Sequence, residues 1–70
     1  MSAYSPELIT IMRNVLEELM TRVPLELATN STKAHLAEVI LKTASQGETR
    51  YDCFMDAAVN SLPTIFSMFS

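Results

Sequence analysis

The chain has 70 residues, 49% of them hydrophobic, and a formal net charge of −3. This length allows one small domain, residues 1–70, and the single cysteine, Cys53, excludes an internal disulfide. Only five residues are Lys or Arg, and they are scattered, whereas nucleic-acid binding requires clustered positive charge. We therefore expect no nucleic-acid partner and no cofactor.

The apolar content predicts association with another chain. Mean hydropathy is +0.19. A small domain has a large surface for its volume, so this much apolar material is difficult to bury within one copy. We expect an exposed apolar patch that is covered by a second copy, in a homodimer, or by another protein.

The first predicted helix spans residues 6–23. Ser5 is a good N-cap, Pro6 suits the first turn, and Pro24 forces a stop. The apolar residues fill about half of the helical wheel, which is typical of a helix that lies on a core.

A connecting segment follows over residues 24–30. Its two leucines, Leu25 and Leu27, are expected to close one end of the core. Asn30 or Ser31 is then expected to cap the next helix.

The middle helix, predicted over residues 31–46, organises the chain. It carries two apolar rows and only a narrow polar strip, so flanking helices are expected to cover it from two sides. Gly47, the only glycine, is placed to end this helix in a left-handed conformation. One row holds Leu36, Val39, Ile40 and Thr43, the other holds Ala34, Ala37, Leu41 and Ala44, and the strip holds His35, Glu38, Lys42 and Ser45.

The third predicted helix spans residues 50–62 and is expected to end before Pro63. The remaining segment, residues 63–70, is apolar and carries no charge. We expect it to dock on the core or to enter a second chain. The pattern as a whole predicts an all-α, small three-helix domain with a short apolar C-terminal segment.

The run K-A-x-x-A-E-x-I-L-K-x-A-x-x-G-E, from Lys33 to Glu48, precedes a helix that carries Ala57 and Ala58. These features resemble a group of short helical proteins of proteobacteria, often rhizobial, with no assigned function. The resemblance covers roughly the middle and last thirds of the chain. It implies a small cytoplasmic helical protein and carries no catalytic or binding residue.

The titratable residues do not form a recognisable catalytic or metal motif. His35 is interpreted as a surface histidine, although it could pair with Cys53 as a nucleophile and base. The acidic neighbours Asp52 and Asp56 oppose formation of a Cys53 thiolate. Together with Glu48 they lack the ligand order of a calcium loop. We expect no catalytic residue, no metal ligand and no enzyme activity.

The sequence therefore predicts a non-enzymatic protein-interaction module that self-associates through apolar helix faces and the C-terminal segment. Leu41, Ile65, Phe66, Met68 and Phe69 are the predicted contact residues.

Two other functions compete with this prediction. A small apolar ligand could bind between helices, in a pocket lined by Met12, Met20, Phe54 and Met55. A regulatory nucleic-acid-binding protein of the helix-turn-helix type is the weaker alternative, because its recognition helix would carry two acids and one base.

The sequence also bears on location. No run approaches the roughly 20 apolar residues of a membrane span, so we expect no stable membrane insertion. The first residues lack the basic region and apolar run of a signal peptide, so we expect a cytoplasmic protein.

Overall fold

The structure, a computed structural model, describes residues 4–68, and these residues form an all-α fold without strands. Each of the three α-helices packs against the other two, and α2 and α3 share the most extensive contact. The predicted fold class is confirmed. The elements are α1, Pro6–Arg22; a short 3-10 helix, Leu25–Leu27; α2, Asn30–Ser45; and α3, Tyr51–Met68.

The first helix begins and ends as its sequence predicts. The Ser5 Oγ accepts a hydrogen bond from the Leu8 N–H at 3.2 Å, and Pro6 occupies the first turn. The helix ends at Arg22, and Val23 serves as the C-cap immediately before Pro24. The predicted end at residue 23 differs from the observed one by a single residue.

The connecting segment closes the core with one leucine rather than two. Leu27 is half-buried against the core, whereas Leu25 is 90% exposed. Successive residues of a 3-10 helix point about 120° apart, so residues 25 and 27 face different directions. The expectation that both leucines plug the core is therefore wrong for Leu25.

The second helix starts one residue earlier than predicted, at Asn30, because Thr29 is its N-cap. The Thr29 Oγ1 accepts a hydrogen bond from the Thr32 N–H at 3.2 Å. The Thr29 hydroxyl also lies 3.3 Å from the hydroxyl of Thr32, which is fully buried. The predicted caps, Asn30 and Ser31, are instead the first residues of the helix, and both are exposed.

The end of α2 follows the prediction closely. The helix ends at Ser45, and Gly47 adopts a φ of +96°, which a residue with a Cβ rarely adopts. The Gly47 N–H donates to the Ala44 carbonyl at 3.0 Å.

One apolar row of α2 is mostly covered, with Val39 half-buried, whereas the other is covered only in part. Leu36, Ile40 and Thr43 are buried, as is Ala44 at the end of the second row. Leu41 is 48% exposed, so the expectation that α2 is covered on both sides is wrong at this position.

The third helix does not end at Leu62 but continues through Pro63 to Met68, so the predicted helix end is wrong. A proline inside a helix removes one hydrogen bond and costs about 3 kcal/mol relative to alanine. Pro63 itself is exposed, whereas Ile65 is only 3% exposed. Burial of an isoleucine side chain contributes about 1.5–3 kcal/mol, which offsets half or more of the proline cost.

The core lies at the centre of the three helices, and Phe54 is its largest fully buried side chain. Leu19 from α1 and Leu36 from α2 are also fully buried. The buried apolar residues are Met12, Val15, Leu19, Val23, Leu36, Ile40, Ala44, Phe54, Ala58 and Ile65.

Replacement of the observed N-cap, Thr29→Ala, is expected to lower the free energy of unfolding by about 1 kcal/mol. The substitution leaves the Thr32 N–H without its side-chain acceptor. Urea denaturation followed by circular dichroism measures the change. The matched control is Ser31→Ala, which removes a hydroxyl from the same turn and is expected to change stability by less than about 0.5 kcal/mol. A larger loss of stability for Ser31→Ala than for Thr29→Ala would contradict the assignment of Thr29 as the N-cap.

Truncation of the core residue of the last turns, Ile65→Ala, is expected to cost about 3 kcal/mol because it leaves a cavity between α2 and α3. Met68→Ala is the control in the same part of the helix, and it should cost less than about 0.5 kcal/mol because Met68 is 55% exposed. Thermal unfolding measures the loss of stability of both variants relative to the unmodified chain. Equal, small effects would mean that the segment after Pro63 does not dock on its own chain.

Candidate interaction surface

An open apolar groove runs between α1 and α2, and we call it the α1–α2 groove. Met12 and Ile40 are buried and form its floor. Ile9, which is 42% exposed, and Leu41 stand on its rims. Arg13 is the only charged side chain in its lining. The full lining consists of Ile9, Met12, Arg13, Leu16, Ala37, Ile40 and Leu41, around a volume of about 260 Å³.

The sequence of α1 explains why this groove stays open. Val15 and Leu19 point into the core and are fully buried. Ile9 and Leu16 lie seven residues apart, two helical turns, on a neighbouring row of the same helix. The side of α2 that faces this row contributes Ala37, which is too short to fill the space. The apolar arc of α1 is therefore wider than α2 covers.

A second groove, the α2–α3 groove, is more polar. Its lining mixes the apolar side chains of Val39, Ile65 and Met68 with charged and hydroxyl groups. The polar members of the lining are His35, Glu38, Lys42, Ser61 and Thr64.

The predicted contact residues do not form one surface. Leu41 lines the α1–α2 groove, whereas Ile65 and Met68 line the α2–α3 groove. Phe66 is half-buried against the core, and Phe69 lies outside the described residues. Because Ile65 belongs to the core of its own chain, it is not available to a second chain in this conformation.

The sequence prediction did not single out Ile9 as a surface residue, because it treated the apolar positions of the first helix together as one core-facing set. Leu16 belongs to that set and is half-buried against the core. The width of the apolar arc of α1 could have indicated the exposure of Ile9. Apolar residues fill half of its helical wheel, and one neighbouring row of small side chains is too narrow to cover so wide an arc.

The four residues predicted to line a ligand pocket are also separated. Phe54 is fully buried, and Met20 and Met55 are half-buried against the core. Of the four, Met12 alone lines the α1–α2 groove. A small apolar ligand in the predicted pocket stays a prediction.

Cys53 is a free, half-buried thiol in the first turn of α3. Its hydrogen bond to the Glu48 carboxylate raises the pKa of the thiol, and partial burial raises it further. The charge of Asp52 acts in the same direction, and that of Arg50 acts against it. The thiol therefore stays protonated at neutral pH and is a weak nucleophile.

The structure does not assemble a Cys53–His35 pair. His35 lines the α2–α3 groove beside Ser61 and residues that follow it in α3. Ser61 lies eight residues beyond Cys53, which corresponds to about 12 Å along a helix.

The described residues offer neither a metal site nor a membrane-spanning helix. No cluster of three or more His, Cys, Asp or Glu side chains suited to a metal ion occurs within residues 4–68. None of the helices in this described range is long and apolar enough to cross a membrane.

Comparison of the chain with protein families, with curated proteins and with solved structures found no match. The resemblance to short proteobacterial proteins stays a prediction.

Removal of the carboxylate charge, Glu48→Gln, is expected to lower the pKa of Cys53 and to speed its alkylation at pH 8. The carboxylate favours the protonated thiol, so its loss shifts the equilibrium toward the reactive thiolate. The rate of reaction with iodoacetamide increases with pH as the thiolate forms, and this increase should begin at a lower pH in the variant than in the unmodified chain. Glu38→Gln, which removes a charge from α2, serves as the control and should leave the profile unchanged. A profile that Glu48→Gln does not shift would contradict the assigned cause.

Proposed function

We propose that this chain is a non-enzymatic protein-interaction module that self-associates through the α1–α2 groove. The observation that carries the proposal is the exposure of two large apolar side chains, Ile9 and Leu41, on opposite rims of a groove with an apolar floor. A second chain that fills the groove would remove both side chains from water, which is favourable by about 25 cal/mol per Å² of apolar surface.

The surface area of the molecule determines what fraction of it a stable dimer interface must bury. A stable interface buries about 800 Å² on each partner, and the accessible surface of this chain is 4778 Å². The interface would therefore occupy about a sixth of the surface. The groove rims alone are too small for this, so the outer face of α1 would take part as well.

The α1–α2 groove is a better candidate than the α2–α3 groove. Burial of polar groups without new hydrogen bonds is costly, and the α2–α3 groove contains Glu38, Lys42 and two hydroxyl side chains. Within its own lining, the α1–α2 groove has one charged side chain to desolvate, Arg13.

A cytoplasmic location belongs to the same proposal. Its support is the free thiol of Cys53, the only cysteine of the chain, which suits a reducing compartment.

The substitution Leu41→Glu is expected to weaken self-association, because it places a charge on the rim of the groove. The matched control is Leu25→Glu, the same change at a leucine that is 90% exposed on the connecting segment. Sedimentation equilibrium from micromolar to millimolar concentration compares both variants with the unmodified chain. We expect at least a tenfold weaker association for Leu41→Glu alone, equivalent to about 1.4 kcal/mol. An unmodified chain that stays monomeric over this range would overturn the proposal.

A further inference from the structure

Resting on the proposed self-association, we propose that the groove is occupied by α1 of a second copy, in an antiparallel two-fold pair. Arg13 of each copy pairs with Glu17 of the other copy. This pairing gives the interface an orientation, a register and two ionic contacts.

One row of α1, in which Ile9 and Arg13 are exposed and Leu16 and Met20 are half-buried against the core, has a spacing that matches itself in the antiparallel direction. Ile9, Arg13, Leu16 and Met20 follow one another at intervals of four, three and four residues, which keeps them on one face of a helix. This row is symmetric about the point between residues 14 and 15. A two-fold axis there places Ile9 of one copy opposite Met20 of the other, and Arg13 opposite Leu16. Apolar side chains therefore meet at both ends of the contact.

The charges next to this row complement one another in the same register. Arg13 and Glu17 are exposed, and within residues 4–68 neither of them forms an ion pair. In the antiparallel register their backbone positions are offset by one residue, about 1.5 Å, which both side chains can span. Each copy supplies one Arg13 and one Glu17, so the two-fold pair forms two identical ionic contacts.

The order of these charges along the helix disfavours pairing within one chain. Glu18 and Arg22 have the favourable order, with the acid four residues before the base, and their side chains form an ion pair at 3.0 Å. Arg13 and Glu17 have the reverse order, which is the weaker arrangement within a helix. Their charges are therefore available to a second copy.

The opposite orientation is disfavoured by the same residues. A parallel two-fold pair of α1 helices would place Arg13 beside Arg13, and like charges in contact repel. The antiparallel pair replaces this repulsion with attraction between Arg13 and Glu17. Ala37 forms part of the facing wall, and its small side chain leaves room for the incoming helix.

The test uses two charge-reversal variants, Arg13→Glu and Glu17→Arg. Each variant alone places like charges across the two-fold axis, so we expect its self-association to be at least about tenfold weaker than that of the unmodified chain. A mixture of the two variants should restore association as a heterodimer, because one copy then carries two acids and the other two bases. Native mass spectrometry of variants with different isotope labels distinguishes the heterodimer from either homodimer.

The control reverses the charges of the neighbouring pair, through Glu18→Arg and Arg22→Glu. These changes alter the charge of α1 by the same amount as the test variants. Glu18 and Arg22 pair with each other within one chain, so reversing either charge should leave association unchanged. Circular dichroism of each variant checks that the helices are retained. The neutral variant Arg13→Gln should weaken association less than Arg13→Glu, and it supplies a second measurement if the reversed charge disturbs folding.

The outcomes separate the two proposals. A dimer that neither reversal weakens, or reversals that weaken association without restoring it in the mixture, would overturn the antiparallel pairing and leave self-association intact. A chain that stays monomeric up to millimolar concentration would overturn both.

Discussion

The fold depends on the burial of Phe54, which is contributed by α3 and is the largest fully buried side chain. A buried phenylalanine typically contributes about 3–5 kcal/mol, a large part of the 5–15 kcal/mol that stabilises a small domain. The leucines at 19 and 36, from the other two helices, are buried to the same degree. A core with so few large side chains leaves neighbouring apolar rows only partly covered, and the α1–α2 groove is the result.

Local signals predicted the helices well, but packing over a distance decided where they end. Ser5, Pro6 and Gly47 act through hydrogen bonds and backbone angles within one turn, so the sequence was sufficient to predict their roles. The N-cap of α2 was placed one or two residues late because several adjacent hydroxyl and amide residues can all cap a helix. Pro63 was expected to stop α3, and it does not, because burial of Ile65 compensates for the lost hydrogen bond.

The surface was harder to predict than the fold. Leu41 was chosen as a contact residue because of the apolar surplus of the chain, although its row of α2 was expected to be covered, and it is 48% exposed. The C-terminal residues were chosen for their lack of charge, but an uncharged apolar segment has the same sequence pattern whether it docks on its own chain or on another. Ile65 docks on its own chain. Ile9 was missed because a helical wheel gives only the width of the apolar arc of one helix. How much of that arc the neighbouring helix covers is known only from the packing.

Pro63 also divides α3 into two parts that differ in cooperativity. The first part holds Phe54 and Ala58 in the core, whereas the last turns are held mainly by Ile65. A proline has no amide hydrogen, so the chain of backbone hydrogen bonds is interrupted at the boundary between them. Opening of the last turns then exposes one buried side chain and leaves the main core closed, at a free energy well below that of global unfolding. We therefore expect two levels of protection against amide hydrogen exchange along this single helix.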